Sequence, residues 1–259
     1  MVPMKRDTAV VCMIAFFLAG AVLMGLAGNA GFREYAKPLV AALATLTAAF
    51  LGANYAFRLQ REHAEREEEK RQVEAGNKAI FELVRTLNQF LTIRKQFIDP
   101  HRSSPARNMY IMPMTGSVRP LEIAFDELAF LFPAANPNLL SRIAMFQQEV
   151  ASTLDVINQR SRIHVDIVQP KVEELERIRG AVLKVEDLEA ALGTRVAQQV
   201  TQLTDYMIEG VDDVVAGAEQ LVGELNGTLK GMYPQHTVIG VATSNKRMQP
   251  TPQSGAADT

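Results

Sequence analysis

Charge is nearly absent from one long stretch of this 259-residue chain: residues 8–57 contain only Arg33, Glu34 and Lys37. A uniform soluble globule does not segregate charge in this way, although the averages over the chain (47% apolar, 22% charged) are those of a soluble domain. Cysteine is also scarce. Cys12 stands alone, which excludes a disulfide scaffold, and a net charge of −2 excludes a strongly basic nucleic-acid binder.

Signatures of chemistry are missing too. No Gly-Lys dipeptide occurs, so there is no Walker-type phosphate loop, and no Gly-x-Ser-x-Gly elbow occurs. None of His63, His101, His164 and His236 follows a glutamate by three residues, so the inward pairs of di-iron bundles are missing. No two histidines stand at helical spacing for zinc. No catalytic, cofactor-binding or metal residue is assigned, and no cofactor is expected.

What is present begins with two apolar runs. Residues 8–28 form twenty-one positions without a charge. At 1.5 Å per residue they extend about 31 Å, the thickness of a bilayer's hydrocarbon core. Residues 39–57 form a second run with Asn54 as its one strongly polar side chain. Pro38 precedes it, suited to a first helical turn, and residues 29–38 have turn chemistry in Asn29 and Gly31. The expectation is a transmembrane helical hairpin over residues 1–57. Seven basic residues flank it (Lys5, Arg6, Arg58, Arg61, Arg66, Lys70, Arg71) against two in the connection (Arg33, Lys37). That asymmetry predicts an inner-membrane protein with both termini cytoplasmic. A cleaved signal peptide ending near Ala30 is the competing reading, but signal apolar regions are shorter, about 7–15 residues. Small residues recur every four positions in the second run, at Ala44, Ala48, Gly52 and Ala56, a surface suited to close helix packing in lipid.

Residues 58–72 read as a solvated helical stem with oppositely charged side chains four apart, such as Arg61 and Glu65. Three amphipathic seams follow within residues 73–233. The first runs Val73, Gly76, Ile80, Leu83, Leu87, Phe90, Arg94, Phe97. The second follows Asn136, a candidate cap, with Pro137 at the first helical position; it includes Leu140, Ile143, Val150, Leu154, Ile157, Ser161, His164 and Val168. Pro170 is expected to end or kink that helix. The third, from Leu188 to Met232, is interrupted by glycines that predict breaks near Gly180 and Gly193. With no alternating strand pattern, the fold class is all-α: an elongated cytoplasmic helical bundle or antiparallel coiled coil behind the membrane hairpin. Residues 120–132 suggest a further helix, with a strand-like stretch at 123–125 as the alternative. Residues 234–259 are expected to be disordered, with a short apolar patch at 238–241 able to dock.

One loop stands out. Residues 99–119 carry Pro100, Pro105 and Pro113, with Arg102 and Arg107 beside Met109, Tyr110, Met112 and Met114. It is the candidate interaction loop, arginines facing an anionic group and methionines giving an adaptable apolar face. The bland reading is a connector tucked onto the bundle end. His164 lies on the seam, where it reads as a hydrogen-bonded core residue rather than a catalyst.

The final fifteen residues, NKRMQPTPQSGAADT (245–259), resemble the translated recombination site at the boundary of a bacterial integron gene cassette. That resemblance implies a mobile bacterial gene and a tail incidental to function. It transfers no activity to the rest. The body, residues 1–240, resembles uncharacterised bacterial two-span membrane proteins with a helical cytoplasmic domain. The functional expectation is a non-enzymatic, membrane-anchored scaffold or protein-interaction module, its partners the lipid bilayer and a protein, including a second copy of the chain. The alternatives are a membrane-coupled sensor relaying along a continuous helix and, third, an enzyme using His101 in loop 99–119.

Overall fold

The computed structural model describes Phe17, Gly20 and residues 30–114, 116, 118–132, 136–179 and 184–240. These residues are helical or irregular, with no strand among them. The chain divides into two compact units, Met1–Glu68 and Glu69–Thr259.

Helix α1 is Ala30–Ile93. Its beginning corrects the expected connection: residues 30–38 are helical, and Pro38 lies inside the helix instead of in its first turn. The sequence tolerates this because proline already holds φ near the helical value, so its cost is one lost backbone bond and local crowding. Within the first unit, Leu46, Phe50, Leu51, Tyr55 and Phe57 are exposed, and Arg61 Nε donates to Glu65 at 2.9 Å, closing one expected stem pair. Among the described residues no helix is long and apolar enough to cross a membrane. Residues 8–28, apart from Phe17 and Gly20, fall outside those residues, as do the side chains of Leu39, Val40 and Leu43.

In the second unit the seams become the core. Helix α2 is the single turn Arg107–Tyr110, α3 is Leu139–Ile163, α4 Gln169–Arg179, α5 Val185–Leu192 and α6 Thr194–Met232. From the first seam Val73, Ile80, Leu83 and Phe90 are buried; from the second, Ile143, Val150 and Ile157; from the third, Met207, Val214, Leu221 and Leu225. All join one apolar cluster. Residue pairing fixes the direction of packing. Glu224 meets Arg142, Gly217 faces Phe146, Gly210 faces Thr153 and Thr204 meets Arg160, so α6 runs antiparallel to α3. Tyr233 meets Gln72 and Leu229 lies on Gly76, so α6 is also antiparallel to the residues of α1 in this unit.

Three interior glycines act as contact points. A Cβ on Gly76 would stand 2.6 Å from Leu229 Cδ1, one on Gly210 2.8 Å from Thr153 Oγ1, and one on Gly217 3.0 Å from Phe146. The helix-propensity cost of each, about 1 kcal/mol, is offset by closer helix approach. Helix α6 continues through Gly210 and Gly217 and also through Gly223 and Gly227, where a Cβ would meet nothing within 4 Å, and the break falls at Gly193, where φ is +76°. The other expected break, Gly180, lies outside the described residues.

The helix ends just before Pro100 but continues through Pro170. A π turn, Arg94–Ile98, precedes Pro100, and a second, His164–Val168, precedes Pro170, after which the chain continues as α4. Each wider turn re-registers the backbone just ahead of a residue with no N–H to contribute. The second helix also starts later than its cap signal suggests, with Asn138 rather than Asn136 at the N-cap; Asn136 instead donates to Glu224 at 3.4 Å. Residues 120–124 are irregular, and the expected further helix is a 3₁₀ helix over Phe125–Leu131. The irregular chain is held by side chains: Arg85 donates to the Pro120 carbonyl at 3.0 Å, and Ile123 N–H to Gln147 Oε1 at 3.2 Å.

The start of the tail is ordered, which corrects the expected boundary of disorder at Pro234. Asn77 supplies a side-chain amide that mimics a strand edge, donating to the Thr237 carbonyl at 3.2 Å and accepting from Ile239 N–H at 3.0 Å. Val238, from the predicted apolar patch, is buried. Residues 241–259, including the cassette-like end, lie outside the described residues.

Candidate functional site

Loop 99–119 is built against α6 and the end of α3. Arg102 makes a bidentate pair with Asp212, at 2.7 and 3.0 Å, and a further contact with Asp99 at 3.2 Å. Its pKa is raised, chiefly by the hydrogen bonds to Asp212. Arg107 donates twice to Asp205, at 2.9 and 3.2 Å. Asp205 and Asp212 are one heptad apart on α6, so both arginines fasten the loop to a single helix face. The expectation that they face an outside anion gives way to this: their charge is already matched within the chain. The connector reading fits the arginines.

The methionine cluster divides. Met109 is buried and Met114 is packed against the main core, while Tyr110 and Met112 remain exposed. Tyr110 lies beside His101, ring centroids 6.1 Å apart. The stripe Ala44, Ala48, Gly52 and Ala56 is exposed on α1, with nothing within 4 Å of a Cβ built on Gly52.

Sequence reasoning missed the residue that organises the loop. Arg160 is 1% exposed and, among the described residues, has no carboxylate partner. Its Nε donates to Thr204 Oγ1 at 2.9 Å, and its Nη2 to the carbonyls of Asn108, at 3.1 Å, and Ile111. Asn108, also buried, donates to Thr201 Oγ1 at 2.9 Å. Burial pushes the Arg160 pKa down to about 10, which still leaves a cation at neutral pH. A buried charge held by neutral dipoles is costly to desolvate and strongly directional. Here it pins the backbone of 108–111 where α3 and α6 meet. The one available signal was an arginine between two seam positions, Ile157 and Ser161; its partners are backbone carbonyls, which no sequence pattern marks.

One turn further on, His164 is 3% exposed, with Nε2 3.4 Å from the Met109 carbonyl. Its pKa is lowered, first by desolvation and then by the charge of Arg160. A histidine harder to protonate when folded makes the unfolded chain the better proton binder below its ordinary pKa of 6.5. Stability is then complete above that value and falls as the pH drops through it. Urea unfolding between pH 7.5 and 5 should show this loss, and His164→Phe should flatten that part of the profile. A profile unchanged by the substitution would contradict it.

Beside these groups lies a cleft of about 480 Å³ between Met109, Tyr110 and Met112 on one side and Val168, Val172 and Leu188 on the other. His164 contributes to its lining, and Glu173, Glu176 and Lys184 lie around it. Met109, Val168, Leu188, Leu192 and Val200 form a second apolar cluster beneath it. Among the described residues no group of three His, Cys, Asp or Glu side chains is placed to hold a metal ion. Comparison with family models, curated proteins and solved structures finds no match for this chain.

Proposed function

We propose that this chain is a membrane-anchored helical protein-interaction module. Residues 8–28 and 39–57 lodge in the bacterial inner membrane as a hairpin with both termini cytoplasmic, and the bundle of residues 73–233 acts in the cytosol. The supporting observation is the surface of α1. Leu46, Phe50 and Phe57 lie within about 40° of one another around a helix of 3.6 residues per turn, and Leu51 and Tyr55 on its other side; all five are exposed. A helical stretch with exposed apolar side chains on opposite sides is suited to an apolar surrounding, and lipid supplies one.

The interaction face in this reading is the exposed pair Tyr110 and Met112, held out by the Arg160 and Arg102 anchors. A photo-crosslinking residue in place of Tyr110, in cells, is expected to give one discrete adduct of defined mass, a second copy of the chain included. A diffuse smear, or no adduct at Tyr110 or Met112, would contradict the reading.

A further inference from the structure

Residues 237–239 lie on the bundle as a bound peptide would. Asn77 of α1 donates to the Thr237 carbonyl at 3.2 Å and accepts from Ile239 N–H at 3.0 Å. Asn226 of α6 donates to the Ile239 carbonyl. Two side-chain amides, from antiparallel helices, thus converge on three backbone groups of one segment. An amide that spends both its donor and its acceptor on one segment reads main chain as a neighbouring strand does. Such contacts give affinity without sequence preference, which comes from the side-chain pockets.

Two contacts supply that preference. Val238, between the paired groups, is buried and joins the main apolar cluster, so the middle position takes a branched aliphatic side chain. Ahead of it, Glu69 lies 3.5 Å from His236 Nε2 and accepts from Gln235 Nε2 at 3.2 Å, which favours donors or a cation there. The side chains of Thr237 and Ile239 are exposed and are not selected. The hold is light, because every one of these hydrogen bonds is exposed and water competes for it. A tethered tail acts as a competitor at an effective concentration of about millimolar. An identical tail from a second copy makes the same contacts without the tether and loses to it, so a displacing segment has to come from a different chain.

We propose that the groove between α1 and α6 at Asn77 and Asn226 is a receptor for an extended segment of another protein, occupied in cis by the chain's own tail. The matching segment has a donor or cation, any residue, and then a branched aliphatic residue, with its backbone N–H and C=O groups free. This surface is separate from Tyr110 and Met112, and the inference is independent of the membrane reading.

The probe is a fluorescent peptide copying residues 235–240, QHTVIG, added to the full chain in lipid nanodiscs and followed by anisotropy. The parent chain is expected to bind it weakly, and Val238→Asp, which keeps the tail out of the groove, at least tenfold more tightly. Ile239→Pro, at an exposed position, removes the N–H that Asn77 accepts and should act in the same direction. Asn77→Leu added to either variant should remove saturable binding. Changes in the peptide leave the protein's folding untouched. A methyl group on the isoleucine nitrogen, or aspartate in place of the valine, should each weaken binding at least tenfold, and alanine in place of the threonine should not. No saturable binding to either tail variant, equal affinities for variant and parent, or indifference to N-methylation would each overturn the proposal. A dimeric parent chain that the peptide converts to monomers would give the groove to a second copy's tail and overturn it as well.

Discussion

Arg160→Ala is expected to destabilise the bundle by about 3 kcal/mol and to free the chain around residues 108–111. Truncation strands the carbonyls of Asn108 and Ile111, which accept from the guanidinium in the folded protein. Each stranded buried group costs about 1–3 kcal/mol, and the emptied volume adds to that. Relief from burying a charge works in the opposite direction, which makes Arg160→Met the informative companion. Methionine fills most of the space and removes the charge, so it should lose roughly half as much, because replacing a buried ion with an apolar group of similar volume is often close to neutral. Urea unfolding gives the energies, and hydrogen–deuterium exchange gives the location. Asn108–Ile111 amides should exchange faster in both variants, while those around Met207 and Leu225 keep their relative protection. An alanine variant with unchanged exchange at 108–111 would show that Arg160 does not anchor the loop.

The double change Leu46→Arg with Phe50→Arg should release the protein from membranes. Both side chains are exposed on α1, so neither supports the core of the second unit, and folding of the bundle should be unaffected. In lipid the effect is large: an arginine near the centre of a membrane helix costs about 2.5–3.5 kcal/mol in insertion measurements, so two approach about 6 kcal/mol. After alkaline carbonate washing of the membrane fraction, the parent chain is expected to remain in the pellet and the double variant to appear in the supernatant. Equal retention of both would mean that this part of α1 does not lie in the hydrocarbon core.

The seams were legible in the sequence because a helix's buried face is written locally. Ile80, Leu83, Ile143, Val150, Leu221 and Leu225 are core residues for the same reason that their spacing alternates between three and four. What stayed hidden is non-local. Arg160 bonds to backbone carbonyls some fifty positions away, and carbonyls carry no residue identity. Arg102 and Arg107 read as free cations because Asp205 and Asp212 lie about a hundred residues further on; the heptad spacing of those aspartates was the missed clue. Pro170 was expected to end or kink its helix, and the π turn that carries the chain past it has no composition of its own. Asn77, between the seam positions Gly76 and Ile80, carries no local signal of its pairing with residues 237–239. The cleft follows from these hidden contacts, since the Arg160 anchor is what brings Met109 beside His164.

The most direct test of the account is the side of the membrane on which the bundle lies. Fusion of a reporter active only in the cytosol, and separately of one active only in the periplasm, after Ala75 in cells reads this out. The account predicts cytosolic activity that sediments with the inner membrane. Periplasmic activity at that position, or cytosolic activity recovered entirely in the soluble fraction, would contradict it.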